Sequence, residues 1–328
     1  MGVTTSDIFG DAPGAQAATP GSYGEAPHGF RLPDATRLGP VRLQVADLGR
    51  SLEYYERVLG FRAVARGGNR AILTARGDDT PIIELNEHPG ARPMVQRGRL
   101  GLYHFAILLP DLPALGRFVK HLAEIGARAG AADHLVSEAF YLTDPDGLGI
   151  EVYVDRPRAT WRRLGRELMM ATDPVDAAGL VHAAGDVKWT GMPAGTVIGH
   201  VHLHVGNIAH ASDFFSEALG FDRMVWHYPG ALFLGAGGYH HHLGTNTWAG
   251  AHATPPEQGD ARLLEWTIEL PEVASIDAAE SSLKSASHPA ERIADEGALL
   301  TRDPWGTAIR LRTSRPGQVQ PGAGGSAK

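Results

Sequence analysis

Several features are missing from this chain, and each absence excludes a class of protein. None of the 328 residues is cysteine, which excludes disulfides, Cys-ligated zinc and thiol catalysis. No apolar run approaches the roughly 18 residues of a membrane span, and the N-terminus lacks the basic-then-apolar pattern of a signal peptide. The 30 Lys+Arg and 37 Asp+Glu residues are scattered along the chain, which argues against nucleic acid or a membrane as partner. We therefore expect a cytoplasmic protein.

Common nucleotide-binding and hydrolase motifs are also missing. No Gly-x-Gly-x-x-Gly after a strand, no phosphate-binding loop and no Gly-x-Ser-x-Gly elbow occurs in a suitable context. Nucleotide-dependent and serine-hydrolase chemistry are therefore disfavoured.

Length and composition indicate two domains with unstructured ends. A chain of 328 residues is long enough for two domains of about 150 residues, each with its own hydrophobic core. Residues 1–36 and 314–328 mix Gly, Ala, Pro, Ser and Thr without hydrophobic periodicity. This composition predicts disorder at both ends.

Histidine occurs in an unusual arrangement. Six of the sixteen histidines lie in two short extended segments, residues 199–205 and 239–243. Imidazole is the commonest metal ligand and the usual acid/base group near neutral pH. Two facing strands that each present histidines therefore indicate a metal site.

The chain contains an internal duplication. Residues 41–48 are echoed by residues 201–208, and Leu59-Gly60-Phe61 recurs 160 positions later as Leu219-Gly220-Phe221. Such self-similarity indicates two structurally equivalent halves.

Each half divides again into two modules. Residues 41–87 predict a strand, a helix and three short strands separated by glycine turns. Residues 102–154 repeat this plan, and residues 197–248 and 262–312 give the third and fourth copies. Between the halves, residues 156–196 predict a connector with one helix near residues 161–170.

Four βαβββ modules in pairs resemble the vicinal oxygen chelate superfamily, which includes glyoxalase I, fosfomycin-resistance proteins and extradiol dioxygenases. The resemblance covers residues 41–312 and is greatest to two-domain catechol 2,3-dioxygenases. It implies an α+β fold whose modules pair into two glyoxalase-like domains, 37–155 and 197–313, with cup-shaped mixed sheets. The segments that carry it are residues 102–110, 133–139, 198–203 and 237–243.

Strand alternation assigns the candidate side chains to a face. Neighbouring positions of a strand point to opposite sides, and the apolar positions pack on the helix. His240 and His242 share one face of their strand, and His241 takes the other. The same parity directs a larger set into the concave side of a sheet: Glu84, His104, Glu151, His200, His202, His204, Glu265 and Arg310.

The second half offers the preferred metal set: His200, His242 and Glu265. Two histidines and a carboxylate suit non-haem Fe(II) with open positions for substrate and O2. In the two-domain extradiol enzymes that this chain resembles, the metal lies in the second half, which favours this set.

The first half offers an alternative set: Glu84, His104 and Glu151. One histidine and two carboxylates are harder ligands, better suited to Mn(II) or another divalent ion. The remaining ligand position of a glyoxalase-like cup is Pro40, which cannot ligate.

The chain also departs from the extradiol pattern. That pattern has His and Glu where this chain has Glu265 and Arg310, which makes Asp295 or Glu296 a candidate to complete a site. The tri-histidine strand supplies an acid/base histidine in those enzymes, which matches His241. Which of His240, His241 and His242 is ligand or acid/base stays open.

The resemblance implies an Fe(II)-dependent extradiol dioxygenase that cleaves an aromatic diol with O2 and forms a homodimer. His241 or His202 would take a proton from the diol, and Arg310 would stabilise the enolate or bind a substrate carboxylate, unless it only pairs with Glu265. A glyoxalase-type isomerase or lyase using the first-half set is one alternative. A metal-free binding protein for aromatic compounds is another.

Overall fold

Four copies of a strand-helix-three-strand module make up most of the molecule. The computed structural model describes residues 3–10, 14–294 and 296–314. The segment before the modules contains α1 (Thr5–Phe9) and β1 (Gln16–Ala17). Module 1 comprises β2 (Arg37–Val45), α2 (Leu48–Arg57), β3 (Arg62–Gly67), β4 (Arg70–Thr74) and β5 (Ile83–Glu87). Module 2 comprises β6 (Gly101–Leu108), α3 (Leu112–Glu124), β7 (Gly130–Asp133), β8 (Ser137–Thr143) and β9 (Gly149–Asp155).

The second half repeats the plan after a connector. The connector contains a 3-10 turn (Arg158–Thr160), β10 (Arg162–Leu164), β11 (Glu167–Leu168) and α4 (Ala177–Ala183). Module 3 comprises β12 (Val197–His204), α5 (Ile208–Ser212) with a π-helical turn (Asp213–Ala218), β13 (Asp222–Val225), β14 (Ala231–Gly235) and β15 (Leu243–Asn246). Module 4 comprises β16 (Arg262–Leu270), α6 (Val273–Ser285), β17 (Ala290–Ile293), β18 (Ala298–Arg302) and β19 (Ala308–Thr313).

The modules combine into two curled eight-stranded sheets. Sheet I has the strand order β13-β14-β15-β12-β6-β9-β8-β7, and sheet II has the order β17-β18-β19-β16-β2-β5-β4-β3. In each module the first strand runs parallel to the last, while the antiparallel pairs β12–β6 and β16–β2 join two modules. The predicted α+β fold with cup-shaped mixed sheets is confirmed.

Each sheet takes one module from each half of the chain. Sheet I unites modules 2 and 3, and sheet II unites modules 1 and 4. The sequence predicts one cup within residues 37–155 and another within 197–313, and the observed strand order corrects this pairing. The first strands of all four modules have the same apolar alternation, so their pattern does not specify which two lie side by side.

The faces of the sheets that pack on the helices form a continuous hydrophobic core. Leu43 in β2, Phe105 in β6, Val201 in β12 and Trp266 in β16 are all fully buried in it. Each module helix begins next to its first strand, and α2, for example, is capped by Asp47, whose side chain accepts from the amide of Arg50. Because the apolar positions face this core, the alternate polar positions are left on the concave sides.

The N-terminal region, predicted to be disordered, is folded onto module 3 where the structure describes it. Leu32 is buried in the core, its amide donates to the carbonyl of Gly220, and Arg31 forms an ion pair with Asp222 at 2.6 Å. β1 pairs with β10 of the connector. The prediction failed because scattered anchors of this kind leave no periodic pattern. Of the predicted C-terminal tail, residues 315–328 lie outside the described part.

The connector also differs from its prediction. Residues 161–170, expected to be helical, contain the β10–β11 hairpin, and the helix of this region is α4. Trp161 and Leu168 are buried against Tyr239 and its neighbours, so tertiary packing decides the local structure here. No helix among the described residues is long and apolar enough to cross a membrane.

Candidate metal centre and its cavity

Strand register in sheet I brings two histidines and a glutamate together around Ala106. β6 lies between β12 and β9, and Ala106 is opposite His200 on one side and opposite Glu151 on the other. His104 lies two residues before Ala106 and therefore on the same face. These three ligand-type side chains thus converge from three adjacent strands.

The donor atoms of this triad are close enough to share one ion. The Nε2 of His104 lies 3.0 Å from Glu151 Oε2, and the Nε2 of His200 lies 3.2 Å from the same oxygen. Ligand atoms about 2.1 Å from one divalent ion and at right angles lie about 3.0 Å apart. Of the residues described, His104, Glu151 and His200 are the group of three metal-type ligands whose donor atoms all lie within 4.8 Å of one another.

Hydrogen bonding leaves part of this triad unsatisfied. Within the described ranges, the Nε2 of His104 has no hydrogen-bond partner of acceptable geometry, although the Glu151 oxygen is near. A buried polar atom without a partner is costly. A cation between the three donors would satisfy it, so the residues present fit a divalent metal.

The protonation states also suit metal binding. Burial lowers the pKa of His200 to about 4, so its imidazole is neutral near pH 7. Burial works in the opposite sense on Glu151, but the neighbouring His200 and His104 hold the pKa of its carboxyl well below the usual range. A neutral imidazole and an ionised carboxylate are the forms that ligate a metal.

The triad lies at the base of a cavity of about 890 Å³. Its wall is largely aromatic: the Tyr103 ring lies 5.1 Å from the His202 ring and 5.7 Å from the Trp248 ring, centroid to centroid. Tyr228 and Phe233 complete this side. Such a mostly apolar cleft with a few convergent polar groups is typical of a small-molecule site.

His202 and His204 line the cavity but are held by Asn246. The Nδ2 of Asn246 donates to the Nε2 of His202 at 3.0 Å, and its Oδ1 accepts from the Nδ1 of His204 at 2.6 Å. Burial lowers the pKa of His202 well below its usual value. The neutral ring of His202 therefore carries its proton on Nδ1 and is a hydrogen-bond donor there.

The three consecutive histidines, predicted to lie in a strand, are in the loop between β14 and β15. His241 is the one that lines the cavity. Its ring lies 4.1 Å from that of His200, centroid to centroid. Its Nδ1 lies 2.7 Å from the Nδ1 of His240, whose Nε2 lies 2.8 Å from Asp155 Oδ1. In the tautomer in which His240 donates its Nε2 hydrogen to Asp155, its Nδ1 accepts from the Nδ1 of His241. The Nε2 of His241 is then a free proton acceptor.

Tyr141 is a site residue that the sequence analysis missed. Its ring lies 5.5 Å from that of His104, and its hydroxyl lies 2.5 Å from the Nε2 of His134. His134 Nδ1 donates to the carbonyl of Ala171 at 2.6 Å, so the Tyr141 hydroxyl is the donor to His134. Burial raises the pKa of Tyr141 well above its usual value, and Glu151 adds to this. The 144–147 turn could have placed Tyr141 opposite Glu151, since it fixes the register of the β8–β9 hairpin.

The structure does not bring the preferred predicted set together. His200 lies in sheet I, but Glu265 lies in β16 of sheet II, opposite Arg42 and next to Ala308. His242 is buried, and its Nδ1 accepts from the amide of Ala236 rather than joining the triad. The predicted grouping of His200, His242 and Glu265 is therefore corrected.

The other predicted residues of sheet II form an ion-pair network. Arg310 makes a bidentate pair with Glu265 at 2.7 and 3.0 Å and contacts Glu296 at 2.6 Å. Glu84 pairs with Arg70 and lies 3.5 Å from Arg42. Arg310 therefore lies away from the cavity, which corrects its proposed catalytic role. The first-half set is likewise divided, because Glu84 is in sheet II while His104 and Glu151 are in sheet I. Asp295 lies outside the described residues.

Comparisons with known proteins agree with this architecture. The family model described as Glyoxalase/Bleomycin resistance protein/Dioxygenase superfamily matches residues 37–152. A catechol-2,3-dioxygenase of Bacillus subtilis (strain 168) is 44% identical over 273 residues, which cover 82% of this chain and 94% of that protein. The chain belongs to the glyoxalase/dioxygenase superfamily. Within it, this chain is a homologue of a catechol-2,3-dioxygenase, and the resemblance predicted from the sequence is confirmed.

Solved structures of the superfamily share the fold. A Bacillus subtilis protein described as a dioxygenase superposes with a TM-score of 0.60 at 15% identity, covering 88% of this chain and 87% of that one. Glyoxalase I from Zea mays superposes with a TM-score of 0.50 at 18% identity, covering 85% and 92%. At these identities the two structures show a common fold alone.

Proposed function

We propose that this protein is an extradiol ring-cleaving dioxygenase that opens a catechol-type diol with O2, using Fe(II) held by His104, Glu151 and His200. The observation that carries the proposal is the buried triad of two histidines and one carboxylate in a chain 44% identical to a catechol-2,3-dioxygenase. This donor set suits non-haem Fe(II) and leaves positions for a bidentate diol and O2.

Fe(II) bound to the triad would supply Lewis acidity toward the diol hydroxyls and a redox centre for O2. The protein's own residues then have separate tasks. His241 offers an unprotonated Nε2 as proton acceptor, because its Nδ1 donates to the Nδ1 of His240, whose Nε2 in turn donates to Asp155. Burial lowers the pKa of His241 well below its usual value, which keeps the ring neutral and able to take a proton from the diol.

His202 and Tyr141 act from other sides of the same space. Because Asn246 occupies the acceptor nitrogen of His202, this ring offers only a donor and would hydrogen-bond an oxygen of the reacting molecule. The Tyr141 hydroxyl is held by His134. The rings of Tyr103 and Trp248 line the same space and would orient the ring of the diol.

The alternatives are less well supported. A glyoxalase-type isomerase based on Glu84, His104 and Glu151 would need Glu84 in the cavity, whereas Glu84 lies in the other sheet. A metal-free binding protein would gain nothing from a buried triad whose donors converge on one point. A homodimer and a cytoplasmic location remain predictions from the sequence.

The proposal is tested by O2 uptake. Protein reconstituted anaerobically with Fe(II) should consume O2 and catechol in equal amounts and give a yellow ring-opened product. Glu151→Gln should lose metal and activity together, because a neutral amide is a poor ligand. His242→Asn is the matched control, since it changes a buried histidine outside the triad, and it should retain one metal per chain. Equal metal loss in the two variants, or metal binding without O2 uptake on any diol, would contradict the proposal.

A further inference from the structure

The cavity above the triad is larger than a single-ring diol requires. Cavities of 300–1,000 Å³ are typical of drug-sized ligands, and this one measures about 890 Å³. The triad, His202 and His241 line one part of it, which we call the inner end. Val3, Met170, Ala171, Thr172 and Tyr228 also line it, and we call their part the outer end. The ring of Phe233 lies 5.0 Å from that of His241 and 5.6 Å from that of Tyr228, centroid to centroid.

The outer wall is built by segments that belong to neither sheet. Val3 comes from the N-terminal segment 3–10, Met170, Ala171 and Thr172 come from the connector, and Tyr228 comes from the loop after β13. None of these residues is in a βαβββ module strand. The strands therefore carry the triad, while these segments bound the remaining space.

Hydrogen bonds hold the N-terminal segment against the connector. The amide of Thr172 donates to the carbonyl of Val3 at 2.8 Å. The amide and hydroxyl of Thr5 donate to the carboxylate of Asp173 at 2.8 and 2.5 Å. The hydroxyls of Thr172 and Tyr228 lie 3.0 Å apart. These polar groups are used in holding the wall together.

What the wall presents to the cavity is therefore mainly apolar. Val3 packs with Ile8 against a buried cluster that includes Tyr228 and Phe233. Apart from the histidines, the cationic side chain among the described lining residues is that of Arg97, which is exposed. A ligand group extending from the triad toward Val3 would meet hydrocarbon and aromatic surface.

We propose that residues 3–10 form a specificity cap and that the substrate is an aromatic diol with a bulky, uncharged apolar substituent. This inference rests on the proposed dioxygenase function. The diol binds at the inner end, the substituent fills the outer end, and Val3 contacts it. An apolar group in such a pocket discriminates by about tenfold or more for a small change in volume.

The test compares kcat/KM for 4-tert-butylcatechol, catechol and 3,4-dihydroxyphenylacetate by O2 uptake. The wild-type protein should prefer the tert-butyl compound. Val3→Trp fills the outer end, so the ratio of kcat/KM for 4-tert-butylcatechol to that for catechol should fall about tenfold. Ser6→Trp is the matched control, because it adds the same bulk to an exposed position of the same segment that does not line the cavity, and its ratio should not change.

A second variant, Thr5→Val, removes the hydroxyl bond to Asp173 and should lower the same ratio without adding bulk. Circular dichroism of every variant checks folding. An unchanged ratio in both Val3→Trp and Thr5→Val, or a preference for the carboxylate compound, would overturn the cap while leaving the dioxygenase proposal intact. Failure of the wild-type protein to cleave any of the three diols would instead overturn the proposed function.

Discussion

A buried histidine outside the metal triad should make stability depend on pH. His242 is buried, its Nδ1 accepts from the amide of Ala236 at 3.2 Å, and its Nε2 has no partner among the described residues. Burial lowers the pKa of His242 to about 3, and the neighbouring His240 and Arg158 contribute to this. The folded protein therefore keeps this ring neutral at pH values where the unfolded chain protonates it.

The size of the effect follows from the two pKa values. With a pKa of about 6.5 in the unfolded chain and about 3 in the folded protein, lowering the pH from 7 to 5 removes about 2 kcal/mol of the free energy of unfolding. Stability falls with falling pH, as expected for a histidine that is buried in its neutral form. Its stabilisation is complete above the unfolded pKa and is lost progressively as the pH falls toward the folded pKa.

Urea unfolding of the metal-free protein at pH 7 and pH 5 measures this effect. Other groups titrate equally in wild type and in His242→Asn, whose side-chain oxygen can replace Nδ1 as acceptor for Ala236. The loss of stability between the two pH values should therefore be about 2 kcal/mol smaller in the variant. Equal losses in the two proteins, with equal m-values, would refute the reasoning.

Two further predictions concern packing and charge. In Gly199→Ala the new methyl group would overlap the hydroxyl of Tyr153, so thermal denaturation should show that the free energy of unfolding falls by about 1–3 kcal/mol. Adding Tyr153→Phe should restore part of this stability. A Gly199→Ala protein as stable as the wild type would contradict the predicted overlap. Arg310→Met leaves the buried carboxylate of Glu265 without its bidentate partner. Urea unfolding should therefore show a free energy of unfolding about 3 kcal/mol lower than that of the wild type. Adding Glu265→Leu should recover most of that loss, and a double variant as unstable as the single one would show that the charge is not the cause.

Local patterns in the sequence were enough to assign strands and their faces. Alternation in β12 places His200 and His202 on the concave side, and both line the cavity. The same argument places Glu265 and Arg310 on the concave side of sheet II, where they pair with each other. What alternation cannot provide is the neighbour of each strand, because β6 and β16 have similar patterns. The predicted ligand set therefore mixed residues of two sheets.

The cap and the tyrosine were missed for different reasons. Residues 3–10 have no hydrophobic periodicity, and their position depends on hydrogen bonds of Val3 and Thr5 to the distant connector. Tyr141 was accessible in principle, since its place opposite Glu151 follows from the turn at residues 144–147. Long-range pairing, rather than local propensity, limits what the sequence alone reveals.

The register of sheet II has a consequence for the duplicated chain. In sheet II, Arg310 of β19 is opposite Thr267 of β16, just as Glu151 of β9 is opposite Ala106 of β6 in sheet I. Glu265, two residues before Thr267, is therefore equivalent to His104, two residues before Ala106. The candidate metal centre of sheet I thus has, at the equivalent positions of sheet II, the buried ion pair of Glu265 and Arg310. Among the described residues, one copy of the duplicated scaffold presents ligand-type side chains to its concave side, and the other neutralises its carboxylate with a guanidinium.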